Sequence, residues 1–199
     1  MKASIIYRNR WTYGLLMRAL YGRHYGARSR AIAELIPAGS SVVDLCCGPA
    51  TLYADHLKER GVDYTGLDLN QGFVDRVTAA GGRGVQWDVH ADTPLPEADY
   101  LVQQASLYHF LPDPGPVVDR MLAAARTQVI IAEPVRNLAS SENPVVAALA
   151  RRLTNPGDGD QAHRFTEASL DAFMDRYRDR VMLSELIAGG REKLYVLSV

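Results

Sequence analysis

Short apolar runs alternate with amphipathic stretches through the middle of the chain. Five of these runs are rich in Val, Ile, Leu or Tyr and lie close to Gly, Pro or Asp, a pattern typical of strands. We predict strands at residues 41–45, 63–68, 84–89, 98–105 and 128–133. Apolar residues at helical spacing predict helices at 52–60, 71–80 and 117–125. Alternating strands and helices predict right-handed crossovers and a mostly parallel sheet.

The C-terminal part of the chain follows a different pattern. Thr166 can cap a helix at 167–177, and two apolar strands follow at 181–187 and 192–198. The connection between these strands, residues 188–191, is too short for a crossover, so they form a hairpin and run antiparallel. The predicted fold is therefore α/β, with a mostly parallel sheet that ends in an antiparallel C-terminal hairpin.

The pattern predicts a single domain with a small helical cover. Further helices are expected at 12–21, 27–36 and 144–153. The four parts of the domain are an N-terminal helical cover (1–36), a cofactor-binding core (37–133), an insertion (134–165), and the C-terminal helix with its hairpin (166–199).

Composition narrows the class of protein. The net charge of −1 provides no overall field for nucleic acid. The two cysteines, Cys46 and Cys47, are adjacent, which disfavours a structural disulfide and a cysteine-rich zinc site, and we predict no metal. No apolar run has the length of a signal peptide core or of a membrane span, so we expect a cytoplasmic protein without stable membrane insertion.

Basic residues dominate the start of the chain, because no acidic residue precedes Glu34. One interpretation is a solvated helical face; the other is an arm that attracts an anionic acceptor or an anionic surface. The basic residues concerned are Lys2, Arg8, Arg10, Arg18, Arg23, Arg28 and Arg30.

The turn after the first strand is a candidate ligand site. Its sequence runs from Asp44 through small residues to Gly48, and Pro49 stands at a position where a helix can begin. Such a turn lets a ligand approach the backbone and the free N–H groups of the helix. A pyrophosphate is disfavoured, because the turn has a single glycine and an acid directly before it. A P-loop is excluded because no Lys-Ser/Thr follows.

Three acids, Asp44, Asp68 and Asp88, are predicted at the ends of successive strands. Ligands of open α/β sheets bind beyond the carboxyl ends of the strands, so these acids would line one crevice. Asp68 follows Gly48 at the spacing of a ribose-binding acid, Asp88 is placed to accept from an adenine amine, and Asp44 is placed to hold a cationic group. The alternative is that each is an ordinary turn-forming residue.

At these positions the sequence resembles the class I S-adenosylmethionine-dependent methyltransferases of small-molecule type. The resembling segments are VVDLCCGPA (42–50), GLDLN (66–70), WDV (87–89) and ADYLVQQASLYHF (98–110). The resemblance implies a Rossmann-like, seven-stranded sheet with helices on both faces, and S-adenosylmethionine as cofactor. The implied cofactor-binding residues are Asp44, Leu45, Cys46, Gly48, Asp68, Leu69, Asp88, Val89 and Gln104. The family has glycine where Cys46 and Ala50 stand, which would strain any turn that needs positive φ.

The chemistry expected from this resemblance is in-line methyl transfer to a small molecule, with His109 as base and Tyr108 beside it as catalytic residues. The alternative for His109 is a packing role in the loop. Two other functions stay open: a non-catalytic S-adenosylmethionine-binding module acting through a partner, and a nucleotide-dependent oxidoreductase. Acceptor identity and oligomeric state are not predicted. Secondary candidates for the pocket are Tyr7, Tyr13, Tyr21, Tyr25, Gln103, Glu133, His163 and Arg164.

Overall fold

A seven-stranded sheet forms the centre of the computed structural model, which describes residues 26–88, 93–136 and 164–199. The strand order is β3-β2-β1-β4-β5-β7-β6; β1 to β5 are parallel, and β7 is antiparallel to both of its neighbours. The predicted α/β fold with a C-terminal antiparallel hairpin is thereby confirmed. The strands are β1 Ser41–Leu45, β2 Asp63–Asp68, β3 Arg83–Gln86, β4 Ala98–Gln104, β5 Ala125–Pro134, β6 Val181–Ile187 and β7 Glu192–Ser198.

Helices connect these strands, and side chains cap two of them at the N-terminus, one of them the predicted cap at Thr166. The Asn70 side chain accepts from the Gly72 N–H at 2.9 Å, and the Thr166 hydroxyl accepts from the Ser169 N–H at 3.1 Å. The α-helices are α1 Ala27–Leu35, α2 Gln71–Ala80, α3 Gly115–Ala124 and α4 Glu167–Met174. Shorter segments are a π-helical turn at Tyr53–Leu57 and 3₁₀ turns at Lys58–Arg60, Leu107–Phe110 and Asp175–Arg180.

Apolar side chains cover both faces of the sheet. On one face, Ile32 of α1 belongs to a buried cluster with Val42 and Val102 of the sheet. On the other face, Met121 of α3 and Leu170 of α4 belong to a second buried cluster. This cluster contains strand residues that alternate with those of the first, such as Val43 of β1. The connection from β1 leads to β2 on one side, and the connection from β3 leads to β4 on the other side of β1. A ligand crevice is expected where the order reverses in this way, at the carboxyl ends of the strands.

Some predicted boundaries were wrong. Strand β3 ends at Gln86 rather than at residue 89, because its partner β2 ends at Asp68 and offers no further residue for pairing. The helix predicted at 52–60 begins at residue 51, and it continues as a π turn and a 3₁₀ turn instead of one regular helix. The predicted loop after β4 is the 3₁₀ turn Leu107–Phe110.

Several predictions lie outside the described residues. These are the helices at 12–21 and 144–153, together with Tyr7, Tyr13, Tyr21, Tyr25, Val89 and His163. Within the ranges that are described, no helix combines the length and apolar content needed to cross a membrane.

Candidate functional site

The turn after β1 adopts left-handed backbone geometry at alternating positions. The φ angles of Cys46, Gly48 and Ala50 are 55°, 55° and 59°. Only Gly48 takes this conformation without a steric cost, which for other L-residues is about 1–2 kcal/mol. A Cβ atom placed on Gly48 would meet no atom within 4 Å, so the space in front of this residue is open.

Asp68 at the end of β2 is joined to this turn. Its Oδ2 accepts a hydrogen bond from the Gly48 N–H at 2.9 Å, and its Oδ1 accepts one from the Asn70 N–H at 2.8 Å. Burial raises the pKa of Asp68, while the N–H groups of Asn70 and Gly48 lower it. Each carboxylate oxygen has two acceptor sites, so each retains capacity for one more donor. Asp68 is thus held rigidly beside the turn with acceptor capacity left over.

Asp44 is completely buried one residue before the end of β1. Its Oδ2 accepts from the Tyr64 hydroxyl at 2.7 Å and from Gln104 Nε2 at 2.9 Å. Its Oδ1 has no hydrogen-bond partner among the described residues. Burial raises the pKa of Asp44 to about 7, against the lowering effect of the two hydrogen bonds and of Arg28. A buried carboxylate oxygen without a donor favours a ligand that brings one.

The two cysteines of the turn are free thiols with low reactivity. Burial raises the pKa of Cys46 to about 12, and it raises the pKa of Cys47 further. Since the thiolate is the reactive species, neither side chain is suited to nucleophilic or redox chemistry. Among the described residues no group of His, Cys, Asp or Glu is arranged to hold a metal ion.

The third predicted acid is placed differently. Asp88 lies two residues beyond the end of β3 and is exposed, because the strand stops at Gln86. Trp87 is buried and donates its backbone N–H to the Asp68 carbonyl at 3.0 Å. Leu69, directly after Asp68, is 64% exposed. Asp44 and Asp68 therefore lie at strand ends, with an exposed apolar side chain next to the second, whereas Asp88 lies in the segment after β3 and its contact with an adenine amine stays a prediction.

The segment after β4 carries the predicted catalytic residues. Tyr108 is half-buried and His109 exposed on the 3₁₀ turn Leu107–Phe110, and their ring centroids are 4.0 Å apart. The Arg164 guanidinium carbon lies 4.0 Å from the Tyr108 ring centroid, within the range of a cation–π interaction. The structure therefore brings together Tyr108, His109 and Arg164 from two distant parts of the chain.

The two glutamines of β4 face in opposite directions, as strand periodicity requires. Gln104 donates to Asp44, whereas Gln103 is fully buried, and its amide has no partner among the described residues.

Two contacts at the site were not predicted. Tyr64 donates to Asp44, and Arg28 forms a 2.8 Å ion pair with Glu192 of β7. The available signal for Tyr64 was a tyrosine in a buried strand, but its partner depends on the register between β1 and β2. Arg28 was noted only as one of the basic residues near the start.

Residues 27–138 match the sequence model of the family described as Methionine biosynthesis protein MetW. The chain belongs to the MetW family. No curated protein matches it in sequence.

Solved structures share the fold of this MetW family member at low sequence identity. Magnesium protoporphyrin IX methyltransferase (ChlM) from Synechocystis PCC 6803, with bound SAH, aligns at TM-score 0.63 and 12% identity, over 100% of this chain and 90% of that chain. A chain from the complex between the Haloferax volcanii Trm112 methyltransferase activator and a methyltransferase gives 0.67 and 15%, over 100% and 98%. A TehB-like SAM-dependent methyltransferase from Corynebacterium glutamicum gives 0.61 and 16%, over 96% and 95%. The class I methyltransferase resemblance of the sequence is confirmed at the level of the fold.

Proposed function

We propose that this MetW family member transfers a methyl group from S-adenosylmethionine to a small-molecule acceptor by in-line displacement. The observation that carries the proposal is the position of Asp68, which is hydrogen-bonded to the turn after β1 and keeps unused acceptor capacity. A ribose presents two adjacent hydroxyl donors, which that capacity suits. The bound SAH of ChlM, a protein of the same fold, supports the choice of cofactor.

The residues around the turn suit the other parts of this cofactor. The open space at Gly48 allows a ligand to approach the backbone, and exposed Leu69 offers an apolar surface for the adenine ring of the cofactor. The buried Oδ1 of Asp44 lacks a donor, which the cofactor ammonium would provide. The set proposed for binding is completed by Leu45, Cys46, Asp88, Val89 and Gln104.

On the acceptor side, His109 is proposed as the base and Tyr108 as its neighbour in the pocket. Histidine titrates near neutral pH, and this one follows the strand that borders the crevice. The leaving group is good, so the main task of the protein is to orient the two reactants. A small acceptor remains our prediction, with an anionic one as an alternative and no role for nucleic acid. The domain boundaries and the cytoplasmic location also remain predictions.

The proposal is tested by binding and by turnover. Calorimetry with S-adenosylmethionine should show saturable binding, and NADH should show none. A screen of candidate acceptors for release of S-adenosylhomocysteine should then identify turnover. Binding of NADH alone would instead support the oxidoreductase alternative, which the single-glycine turn disfavours.

A second candidate is a non-catalytic S-adenosylmethionine-binding module that acts through a partner. The edge strand β6 favours it, since Met182 and Leu186 are 62% and 41% exposed there. Exposed apolar side chains along an unpaired strand edge are typical of protein contact sites. Cofactor binding without release of S-adenosylhomocysteine for any acceptor would favour this candidate.

A further inference from the structure

Glu133 lies near the end of β5 and is 1% exposed. Its Oε2 accepts a 3.0 Å hydrogen bond from the backbone N–H of Leu107, 26 residues earlier in the chain. Leu107 is the first residue of the 3₁₀ turn that carries Tyr108 and His109. The first N–H groups of a helical turn have no partner within the turn, so this carboxylate takes the place of an N-terminal cap.

Charged groups from several elements face the same carboxylate. Burial raises its pKa to about 7, against the lowering effect of the Leu107 N–H, of Arg28 in α1, of Arg164 from the segment before α4, and of the Ser106 N–H. The thiol of Cys46 is close enough to interact with it electrostatically. Lys193 is its register partner on β7, but the ammonium of this lysine lies 3.3 Å from Glu167 and 3.1 Å from Asp171.

A glutamate is a costly choice for this position if packing were its only role. Burying a carboxylate is unfavourable unless hydrogen bonds or opposite charges compensate it, and an apolar side chain would avoid that cost. The compensation here comes from the backbone of the turn and from two arginines, one of which stacks on Tyr108. The ionised side chain is therefore hydrogen-bonded to the turn and is favoured electrostatically by one arginine of α1 and another from the segment before α4.

We infer that Glu133 is a positioning residue whose ionised carboxylate holds the turn with Tyr108 and His109 at the crevice, and that protonation of Glu133 loosens this turn. The assignment of the turn to the acceptor side rests on the proposed function; the capping contact does not. A charged acceptor forms hydrogen bonds about twice as strong as a neutral one. The Leu107 N–H should therefore exchange with solvent more readily when Glu133 is neutral.

Amide hydrogen exchange at Leu107 tests this inference directly. Exchange is followed by NMR on protein labelled with ¹⁵N-leucine at pH 6 and pH 8.5, and corrected for the intrinsic pH dependence of exchange. In the wild-type chain, protection of Leu107 should be about tenfold lower at pH 6 than at pH 8.5. In Glu133→Gln, protection should be low at both pH values.

Glu192→Gln is the matched control. Glu192 is also a buried strand-end glutamate, and it pairs with Arg28, but it makes no contact with the Leu107 turn in the described structure. This variant should keep a pH-dependent protection at Leu107, with a midpoint moved to lower pH, because Arg28 no longer pairs with Glu192 and lowers the pKa of Glu133 more strongly. Equal protection of wild-type Leu107 at both pH values would overturn the inference, and this arm needs no variant to fold. Unchanged protection in Glu133→Gln would overturn it as well.

Donor affinity separates this inference from the proposed function. Glu133→Gln should bind S-adenosylmethionine within about twofold of wild type, because the hydrogen bond of Glu133 goes to the acceptor-side turn. Its neighbour in the turn after β1, Cys46, is a buried neutral thiol that loss of the Glu133 charge leaves neutral. A large loss of affinity would show that the residue acts on the donor site instead. If the wild-type chain failed to bind S-adenosylmethionine, the proposed function would fail while the exchange result stood.

Discussion

The backbone N–H of Gly48 donates a 2.9 Å hydrogen bond to Oδ2 of Asp68, across 20 residues of sequence. This bond connects the turn after β1 with the end of β2, on two neighbouring parallel strands. One carboxylate thus shapes the turn and borders the open space in front of it. Binding of the methyl donor should therefore depend on Asp68.

Asp68→Ala should weaken S-adenosylmethionine binding by about 100-fold, because it removes an acceptor for the ribose hydroxyls and releases the Gly48 N–H. Calorimetry gives the dissociation constant. Asp63→Ala is the control, since Asp63 lies exposed at the opposite end of the same strand and should bind normally. Equal affinities of the two variants would contradict the role assigned to Asp68.

Affinity for S-adenosylmethionine should rise between pH 6 and pH 8 in the wild-type chain. Asp44 has a pKa of about 7, and a cationic ligand binds better to its ionised form. Below that pKa, binding must displace a proton, so affinity should fall by up to about tenfold per pH unit. In Asp44→Asn this dependence should be largely absent, which calorimetry at three pH values can show. A wild-type affinity that is constant over this range would argue against contact between Asp44 and the cation.

Stability of the ligand-free protein should change with pH in the opposite direction. Burial raises the pKa of Asp44 from 3.8 to about 7, so between these values the folded state binds more protons than the unfolded state. The contribution of Asp44 to the free energy of unfolding is therefore fully present below pH 3.8. It is lost as the pH rises to about 7, which lowers the free energy of unfolding by up to about 4 kcal/mol. Asp44→Asn should accordingly raise the Tm at pH 8.

Asp99 provides a control of opposite sign for the same experiment. Its carboxylate accepts hydrogen bonds from the Ser41 N–H at 2.8 Å and from the Ser41 hydroxyl at 2.7 Å, and these lower its pKa. Such a group stabilises the fold above its unfolded pKa and loses that effect as pH falls. Asp99→Asn should therefore lower the Tm at pH 8. A higher Tm in both variants would show that removing any negative charge stabilises the protein, whatever the pKa of the group removed.

The accuracy of the sequence-based predictions follows from how local each feature is. Strands β1, β2, β6 and β7 were predicted with their observed bounds, since glycine, acidic or proline residues mark their ends in the sequence. Strand β3 was predicted too long, because its end depends on where β2 stops.

The same distinction applies to the candidate site. Asp68 could be found from its spacing to Gly48 and its place at a strand end, both of which are local properties. The contact between Tyr64 and Asp44 depends on the register of β1 against β2, and that between Glu133 and Leu107 depends on how β4 and β5 end relative to each other. A single sequence does not specify either relationship.

His109→Ala should lower kcat by about 100-fold if His109 is the base, and it should leave S-adenosylmethionine affinity within about twofold. His109 lies on the turn after β4, whereas the donor is proposed to bind at the turn after β1. Tyr108→Phe is a useful comparison, since it removes only the hydroxyl and keeps the ring on which Arg164 stacks. A full rate for His109→Ala would leave His109 with a packing role only.

Ala50→Gly should change the free energy of unfolding by less than about 1 kcal/mol, although Ala50 is 1% exposed. The lost methyl contact and the greater freedom of unfolded glycine act against stability, whereas relief of the positive φ of 59° favours it by about 1–2 kcal/mol. Ala33→Gly is the matched control, because Ala33 is equally small and buried, at 4% exposed, but lies in helix α1. It gains no such relief and should lose about 1–2 kcal/mol. Urea denaturation of both variants measures the difference; equal losses would mean that the turn is not strained at Ala50.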